Sequence, residues 1–352
     1  MAGVPATGSQ ASPASVGSAP KPSVAVLGSG SWGTALAVHL ARTGHRTILW
    51  GIETAELEAM ARGRVNQRYL PGVKLPAGLE IEHDFARAVH DAEQLLVVVP
   101  SHAFREVLEK AKPLLRPGQR VAWATKGFEL ATGKLPHQVA DEVLGRGVPT
   151  AVLSGPTFAK EVGEGLPSAM TVASRDEEYA LALARSISGA SFRAYASGDM
   201  TGVEVGGAVK NVIAIGAGIS DGLGYGANTR VALITRGLAE LMRLGVALGA
   251  ERETFMGLAG LGDLVLTCTD DQSRNRRCGL ALAAGKSAAQ AQAEIGQVVE
   301  GVLAARAVRE VAQRLGVDMP ISEQVYRVLY EGAPVKQAVA ALMGRTVKSE
   351  TD

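Results

Sequence analysis

Residues 24 to 44 read VAVLGSGSWGTALAVHLARTG, a short apolar run, a turn with three glycines, and a run of helical periodicity closed by Gly44. Within it GSGSWG, from Gly28 to Gly33, matches G-x-G-x-x-G. The pattern alone is weak, because glycine turns are common. Its place at the end of a strand and the start of a helix makes it specific. In that setting Gly28 permits the tight turn, Gly30 lets the backbone come close to a diphosphate, and Gly33 lets the helix pack on the strand. Amides at the helix start then face the anion. This segment demands a strand-turn-helix unit of the dinucleotide-binding kind, and few folds other than an open α/β sheet supply one.

The alternation continues down the chain. HRTILW, QLLVVVPS, RVAWATKG, TAVLSGP, SAMTVASR and SFRAYAS read as further strands, with HAFREVLEKAKPLL and DEEYALALARSISG as helices. Strands apolar on both faces indicate a parallel sheet covered by helices. Residues 23–197 are therefore expected to form an α/β, Rossmann-type dinucleotide-binding domain. Beyond them RVALITRGLAELMRLGVALG, EGVLAARAVREVAQRLG and ISEQVYRVLYEG carry helical spacing, so residues 198–352 are expected to form an all-helical substrate-binding domain. No Pro/Ser-rich linker separates the halves, which should pack directly and enclose a cleft. The first 20 residues carry no charge and almost no large apolar side chain, and residues 1–22 are expected to be a disordered tail.

Charge and cysteine usage narrow the function classes. With 36 basic and 35 acidic residues the net charge is +1, which gives no global field for nucleic acid or an anionic membrane. Cys268 and Cys278 are too few for a disulfide framework and lack the spacing of a zinc site, so free thiols and no metal are expected. A secretory or mitochondrial leader would need basic residues that the amino terminus lacks. No stretch approaches the ~20 apolar residues of a membrane span, since glycine, asparagine and serine interrupt KNVIAIGAGIS, the best candidate. A cytoplasmic protein is expected.

Several polar residues stand where chemistry could be done. Lys210 is the one charged side chain in GGAVKNVIAIGAG, where burial is expensive. Either its stem snorkels along apolar surface, or the site needs an amine of altered pKa. Gly206 and Gly207 beside it would let substrate or cofactor approach the helix. Lys126 and the group Gly155, Thr157 and Ala159 lie just past strand ends, where ligands of open α/β sheets bind. Asp263 and Thr267 occur in GLGDLVLTCT, with helix capping as the other reading of Asp263. SRNRR bunches Arg274, Arg276 and Arg277 around Asn275, as a solvated cluster or as a phosphate site. Glu53, 20 residues after Gly33, is placed either to accept bonds from an adenosine ribose, favouring NAD, or to begin a helix. An arginine beside it would favour NADP, and the nearest candidates are Arg46, Arg62 and Arg64. Together two lysines, an aspartate and an Arg-Asn pair suit a small phosphorylated alcohol or ketone.

At these residues the sequence closely resembles the bacterial type of NAD(P)-dependent sn-glycerol-3-phosphate dehydrogenase. VLGSGSWGTALA, LLVVVPSH, WATKG, SGPTFAKEV, GGAVKNVIAIGAGISDG, GLGDLVLTCTDDQSRNRR and GQVVEG all look like that family's blocks, in its order, over roughly residues 23 to 346. The resemblance implies interconversion of dihydroxyacetone phosphate and sn-glycerol 3-phosphate with NAD or NADP, supplying glycerol 3-phosphate for phospholipid synthesis, and a homodimer. It implies that Lys210 is the catalytic lysine and that Lys126 touches both substrate and cofactor, and Lys126 and Asp263 are expected to complete the catalytic group. It places Gly155, Thr157, Asp263, Ser273, Arg274 and Asn275 on the substrate, with Asn211 and Thr267 beside them. Ser31, Trp32, Ala159, Arg274, Val298 and Glu300 would touch the dinucleotide. One departure is Ile52, where the family commonly has a basic or imidazole side chain facing the ribose. An amine disfavoured as a charge by an apolar helix, yet near Asp263, would exchange the proton of the reacting oxygen in both directions. The rivals are a 3-hydroxyisobutyrate- or 6-phosphogluconate-type dehydrogenase, in which asparagine follows the lysine by three residues, and a non-catalytic dinucleotide sensor.

Overall fold

The structure is a computed structural model that describes residues 21–347 and Ser349, so most of the expected tail lies outside the described residues. Its last two positions are not tail-like. The Lys21 ammonium donates to the Ser186 carbonyl at 2.7 Å, and the His45 ring lies 2.9 Å from the Pro22 carbonyl. These bonds fasten the chain before the first strand.

Ten strands occur among the described residues: β1 Val24–Leu27, β2 Thr47–Trp50, β3 Val65–Asn66, β4 Leu70–Lys74, β5 Leu79–Glu82, β6 Gln94–Val97, β7 Arg120–Trp123, β8 Thr150–Ser154, β9 Ser168–Ala173 and β10 Phe192–Ser197. The helices of the same half are α1 Ser31–Arg42, α2 Thr54–Gly63, α3 Phe85–His90, α4 Ser101–Ala111, α5 Pro136–Leu144, α6 Ala159–Glu164 and α7 Glu177–Ile187. Then follow α8 Met200–Gly222, α9 Ala227–Ala247, α10 Asp263–Thr269, α11 Arg274–Ala283, α12 Ala288–Ile295, α13 Glu300–Leu315, α14 Pro320–Tyr330 and α15 Val335–Met343.

Eight strands form one sheet in the order β10-β9-β8-β7-β6-β1-β2-β5. From β1 the chain moves outward through β2 and β5, then returns to the other side of β1 with β6. The strand order reverses between β1 and β6, and ligands of open α/β sheets lie outside the carboxyl ends at such a point. β1 and β6 are buried along their whole length, as continuous apolar runs require. β9 and β10, parallel to each other, run opposite to the other six strands. β8 and β9 are antiparallel, because the short α6 between them packs against α1 and β4 and leaves no crossover helix to return the chain in parallel. β10 is an edge strand, and its residues Arg193, Ala196 and the half-exposed Tyr195 face solvent. The hairpin β3–β4 stands outside the main sheet.

The strands end at Ser197, and α8 begins at Met200 with Asp199 capping it through the Gly202 amide at 2.8 Å. α8 is the axis of the helical half. It is predominantly apolar and buried for nearly all of its length, as a core helix must be, with Glu204, Lys210 and Asn211 as buried polar exceptions. By length and hydropathy it would also span a membrane, contrary to the sequence expectation, yet that window is entirely buried inside the protein. α11 crosses α8 at unusually close range. A Cβ on Gly218 would stand 2.0 Å from the Arg276 carbonyl oxygen, and one on Gly279 2.1 Å from the Ile215 carbonyl oxygen. That crossing sets the start of α11 beside the middle of α8. The two halves interlock further, since Phe128 and Leu135, from the β7–α5 connection, join the core of the helical half.

Candidate active site

The β1–α1 junction is built as the glycine pattern demands. Gly28 has φ +124°, and a Cβ there would stand 2.3 Å from the Val98 carbonyl oxygen at the end of β6. A Cβ on Gly33 would stand 1.9 Å from the Gly28 carbonyl oxygen. Gly30 instead borders open space, with nothing within 4 Å of a Cβ position. As N-cap of α1 it offers no side chain, so the first-turn amides lack a capping acceptor. Trp32 Nε1 is buried with no hydrogen-bond partner. A bare helix N-terminus beside an orphaned indole donor fits the diphosphate of a dinucleotide. The Ser31 hydroxyl donates to the Tyr69 carbonyl at 2.5 Å and ties the helix start to the β3–β4 connection.

Glu53 follows β2 and begins α2 without capping it. Its carboxylate accepts from the Tyr69 hydroxyl at 3.0 Å and pairs with Arg68 at 3.1 Å. The three arginines nominated from sequence are engaged elsewhere: Arg46 with Glu80, Arg62 with Glu58, and Arg64 with the carbonyls of Pro76 and Leu79. The guanidinium that does stand beside Glu53 is that of Arg68, which the sequence does not single out because it lies in the short β3–β4 connection. Ile52 is 79% exposed next to this pair.

The polar centre lies where the β7 end meets α8 and α10. Lys126, three residues past β7, donates from Nζ to Asp263 Oδ2 at 2.8 Å. Lys210, in the middle of α8, donates to Asp263 Oδ1 at 2.5 Å and to Thr267 Oγ1 at 3.1 Å. The Thr267 hydroxyl in turn donates to the Asp263 carbonyl at 2.6 Å. One carboxylate, 1% exposed, thus separates two ammonium groups, and Lys210 itself is only 7% exposed. Asp263 does not cap a helix. It opens α10 directly after a π-helical turn over Leu258–Gly262, which swings its carboxylate inward. Lys210 does not snorkel.

The three ionisations are interlocked. Burial drives the Lys210 amine down to about 8, with the like charge of Lys126 adding to the drop and Asp263 opposing it. Lys126 is partly buried and loses solvation too, but the charges of Asp263 and Glu300 hold it above an ordinary lysine. Burial works to raise Asp263, and the two ammonium groups overcome it and hold the carboxyl below the usual range. Two ammonium groups in a nearly dry site have N–H groups to offer an anionic substrate.

Gly206 and Gly207 serve this cluster otherwise than the sequence suggests. A Cβ on Gly207 would touch Ser154 Oγ at 3.2 Å and the Lys126 stem at 3.4 Å, while one on Gly206 would stand 2.2 Å from the Ala259 carbonyl oxygen. The space beside them holds the protein's own lysine stem and the turn before Asp263.

A second group adjoins Lys210. Asn211 donates to Glu300 Oε2 at 3.2 Å and accepts from Asn275 Nδ2 at 2.9 Å, and Asn275 Oδ1 accepts from the Gly301 amide at 2.8 Å. Each amide has a second N–H beyond these bonds. Ser273 caps α11 by accepting from the Arg276 amide at 3.2 Å. Arg274 is half-buried at the first position of α11 and donates to Gln297 at 3.3 Å. The other arginines of SRNRR are not part of the site: Arg276 pairs with Asp221 at 2.7 Å, and Arg277 is exposed. Gly155, with φ +157°, packs on Met170, Thr157 donates back to the Gly155 carbonyl at 3.2 Å, and Ala159 opens α6. A narrow cleft is lined by Ser101, His102, Lys126, Asn211, Val298 and Glu300. Ser101 and His102 were legible only as part of a strand-end block. A larger apolar cavity of about 490 Å³ lies between α8, α9, α14 and α15 and holds none of these residues. Cys268 and Cys278 are buried free thiols, pushed by burial to about 12 and about 11.

Comparison with known proteins addresses both halves. The family model for the NAD-dependent glycerol-3-phosphate dehydrogenase N-terminus matches residues 23–180, and that for the C-terminus matches residues 199–340. A glycerol-3-phosphate dehydrogenase [NAD(P)+] of Aeromonas salmonicida is 56% identical over 328 residues, 93% of this chain and 98% of that one. Its counterpart in Pseudoalteromonas translucida is 58% identical over 328 residues, with the same coverage. The solved glycerol-3-phosphate dehydrogenase of Coxiella burnetii, 47% identical, superposes with a TM-score of 0.89 over 92% of this chain and 99% of that one.

Proposed function

The chain belongs to the NAD-dependent glycerol-3-phosphate dehydrogenase family, and we propose that the Lys126–Asp263–Lys210 cluster is the chemical centre of that activity. The protein interconverts dihydroxyacetone phosphate and sn-glycerol 3-phosphate with NAD(P)(H). The nicotinamide, when bound, supplies or takes the hydride at substrate C2. The chain's own residues must then manage the proton of the C2 oxygen. The Lys210 amine, poised near 8, gives that proton in reduction and takes it in oxidation. Lys126 stays charged and stabilises negative charge growing on the same oxygen. Asp263 holds both amines in place without entering the chemistry.

Recognition divides between the halves. Residues 198–352 supply most of the substrate site, with Arg274, Ser273 and Asn275 at the phosphate and Asn211 and Thr267 around the carbon chain, where Gly155 and Thr157 of the first half join them. Residues 23–197 bind the dinucleotide through the Gly28–Gly33 turn, Ser31, Trp32 and Glu53, and the nicotinamide end is bordered by Lys126 and Ala159 of that half together with Arg274, Val298 and Glu300 of the other. The observation that carries the reading is one buried carboxylate shared by two lysines at the carboxyl end of the sheet. The family resemblance supports a cytoplasmic homodimer feeding phospholipid synthesis, and the exposed apolar Val231 and Val246 on α9 are consistent with a covered surface.

The test is direct. The purified protein should oxidise NADH or NADPH with dihydroxyacetone phosphate, and should not reduce the oxidised cofactors with 3-hydroxyisobutyrate or 6-phosphogluconate. Turnover of either acid with none of the triose would reject the assignment.

A further inference from the structure

Lys126 and Lys210 reach Asp263 from different halves of the protein, so something must fix the loop carrying one against the helix carrying the other. Lys126 rides on the connection between β7 and α5. That connection begins after Trp123, the last residue of β7, and ends at the first turn of α5, where His137 sits. Both ends meet one side chain. The Trp123 Nε1 donates to Glu204 Oε1 at 2.9 Å, the His137 amide donates to the same oxygen at 3.0 Å, and His137 Nδ1 lies 2.6 Å from Glu204 Oε2. Glu204 belongs to α8, the helix of Lys210. All three residues are buried, Trp123 at 0%, Glu204 at 3% and His137 at 7%.

A buried carboxylate is retained only when its oxygens are satisfied, and charge-assisted bonds of this kind are short and stiff. The start of α5 adds the favourable field of a helix N-terminus. We propose that Glu204 is a positioning residue: it pins both ends of the Lys126 loop to α8 and thereby sets the separation of Lys126, Asp263 and Lys210. The inference rests on the reading of Lys126 and Lys210 given above.

A misplacement of about 1 Å at a reacting group can cost on the order of a hundredfold in rate. Glu204→Gln loses the charge on which three donors converge, and kcat with dihydroxyacetone phosphate should fall at least about tenfold while the dinucleotide Kd stays within about twofold. The second readout is the basic limb of the reductive pH profile. Lys126 depresses Lys210 through its like charge, so a loosened Lys126 should move that limb upward from the wild-type value. Trp123→Phe removes one pin, keeps the buried ring, and should move kcat and the limb in the same directions by less. Leu183→Ala, in α7 on the far side of the sheet, controls for lost stability and should lower Tm without moving the limb.

A lowered Tm in Glu204→Gln and Trp123→Phe with kcat and limb unchanged would overturn the pin. If Glu204→Gln does not fold, Trp123→Phe alone decides by the same two readouts. Retained turnover in Lys210→Ala would instead remove the underlying reading, whereas a Lys210-dependent enzyme with unmoved limbs in the pin variants removes the pin only.

Discussion

Asp263→Asn changes one atom at the point where both lysines converge. In the native cluster each carboxylate oxygen takes one ammonium, at 2.8 Å from Lys126 and 2.5 Å from Lys210. An amide keeps one acceptor oxygen and turns N–H toward the other cation. Lys210 then loses the charge that opposes its decline and keeps the two influences that cause it, burial and Lys126. Unit charges about 4 Å apart at an effective dielectric near 20 interact by about 4 kcal/mol, or about three pKa units. Allowing for relaxation, a fall of about two units from about 8 is expected. The amine would then be about one-tenth protonated at pH 7, so the reductive kcat/KM should drop roughly tenfold from ionisation alone. Reduction needs the protonated amine, so its rate is lost as pH rises through this pKa, and acidification toward pH 5 should restore much of it. The assay is NAD(P)H absorbance with dihydroxyacetone phosphate across pH 5 to 9.5, alongside a Tm to confirm folding. A variant whose basic limb stays near the wild-type position, or moves upward, would refute the electrostatic reasoning.

Two further outcomes concern recognition. Arg274→Ala should raise the substrate KM by about 10- to 100-fold, the equivalent of about 1.5–3 kcal/mol for charged hydrogen bonds, with kcat changed much less; an unchanged KM assigns the phosphate to another cation. Arg68→Ala should raise the KM for NADPH at least about tenfold and leave that for NADH within about threefold, because Arg68 is the guanidinium beside Glu53 and Ile52 supplies no charge. Equal effects on both cofactors would separate Arg68 from 2′-phosphate recognition.

What the sequence reveals follows the range of the signal. The β1–α1 unit is legible because its glycines answer to neighbours a few residues away, and the buried strands because continuous apolar runs mean one thing in an α/β sheet. Lys126, Asp263 and Lys210 each stand out as polar residues in apolar or strand-end settings. That a single carboxylate bridges them is not legible, since Asp263 and Lys126 are 137 residues apart and a π-helical turn sets the angle. The same holds for Glu204, 67 residues from His137 and 81 from Trp123, which reads in sequence as one more residue of an apolar helix. Arg68 and Tyr69 escape notice because strands of two and five residues carry too little periodicity to announce a hairpin. Gly206 and Gly207 show the opposite failure: their need for space is evident, but only the fold reveals that Lys126 and Ala259 fill it. β9 has the composition of the strands that run the other way, and its direction follows from how α6 packs.

The most direct measurement is chemical rescue of Lys210→Ala. Removing the amine should lower kcat with dihydroxyacetone phosphate at least about a hundredfold, leave the dinucleotide Kd largely intact, and allow partial recovery with millimolar methylamine, in proportion to its protonated fraction. Near-native turnover without added amine would contradict the assignment of proton transfer to Lys210.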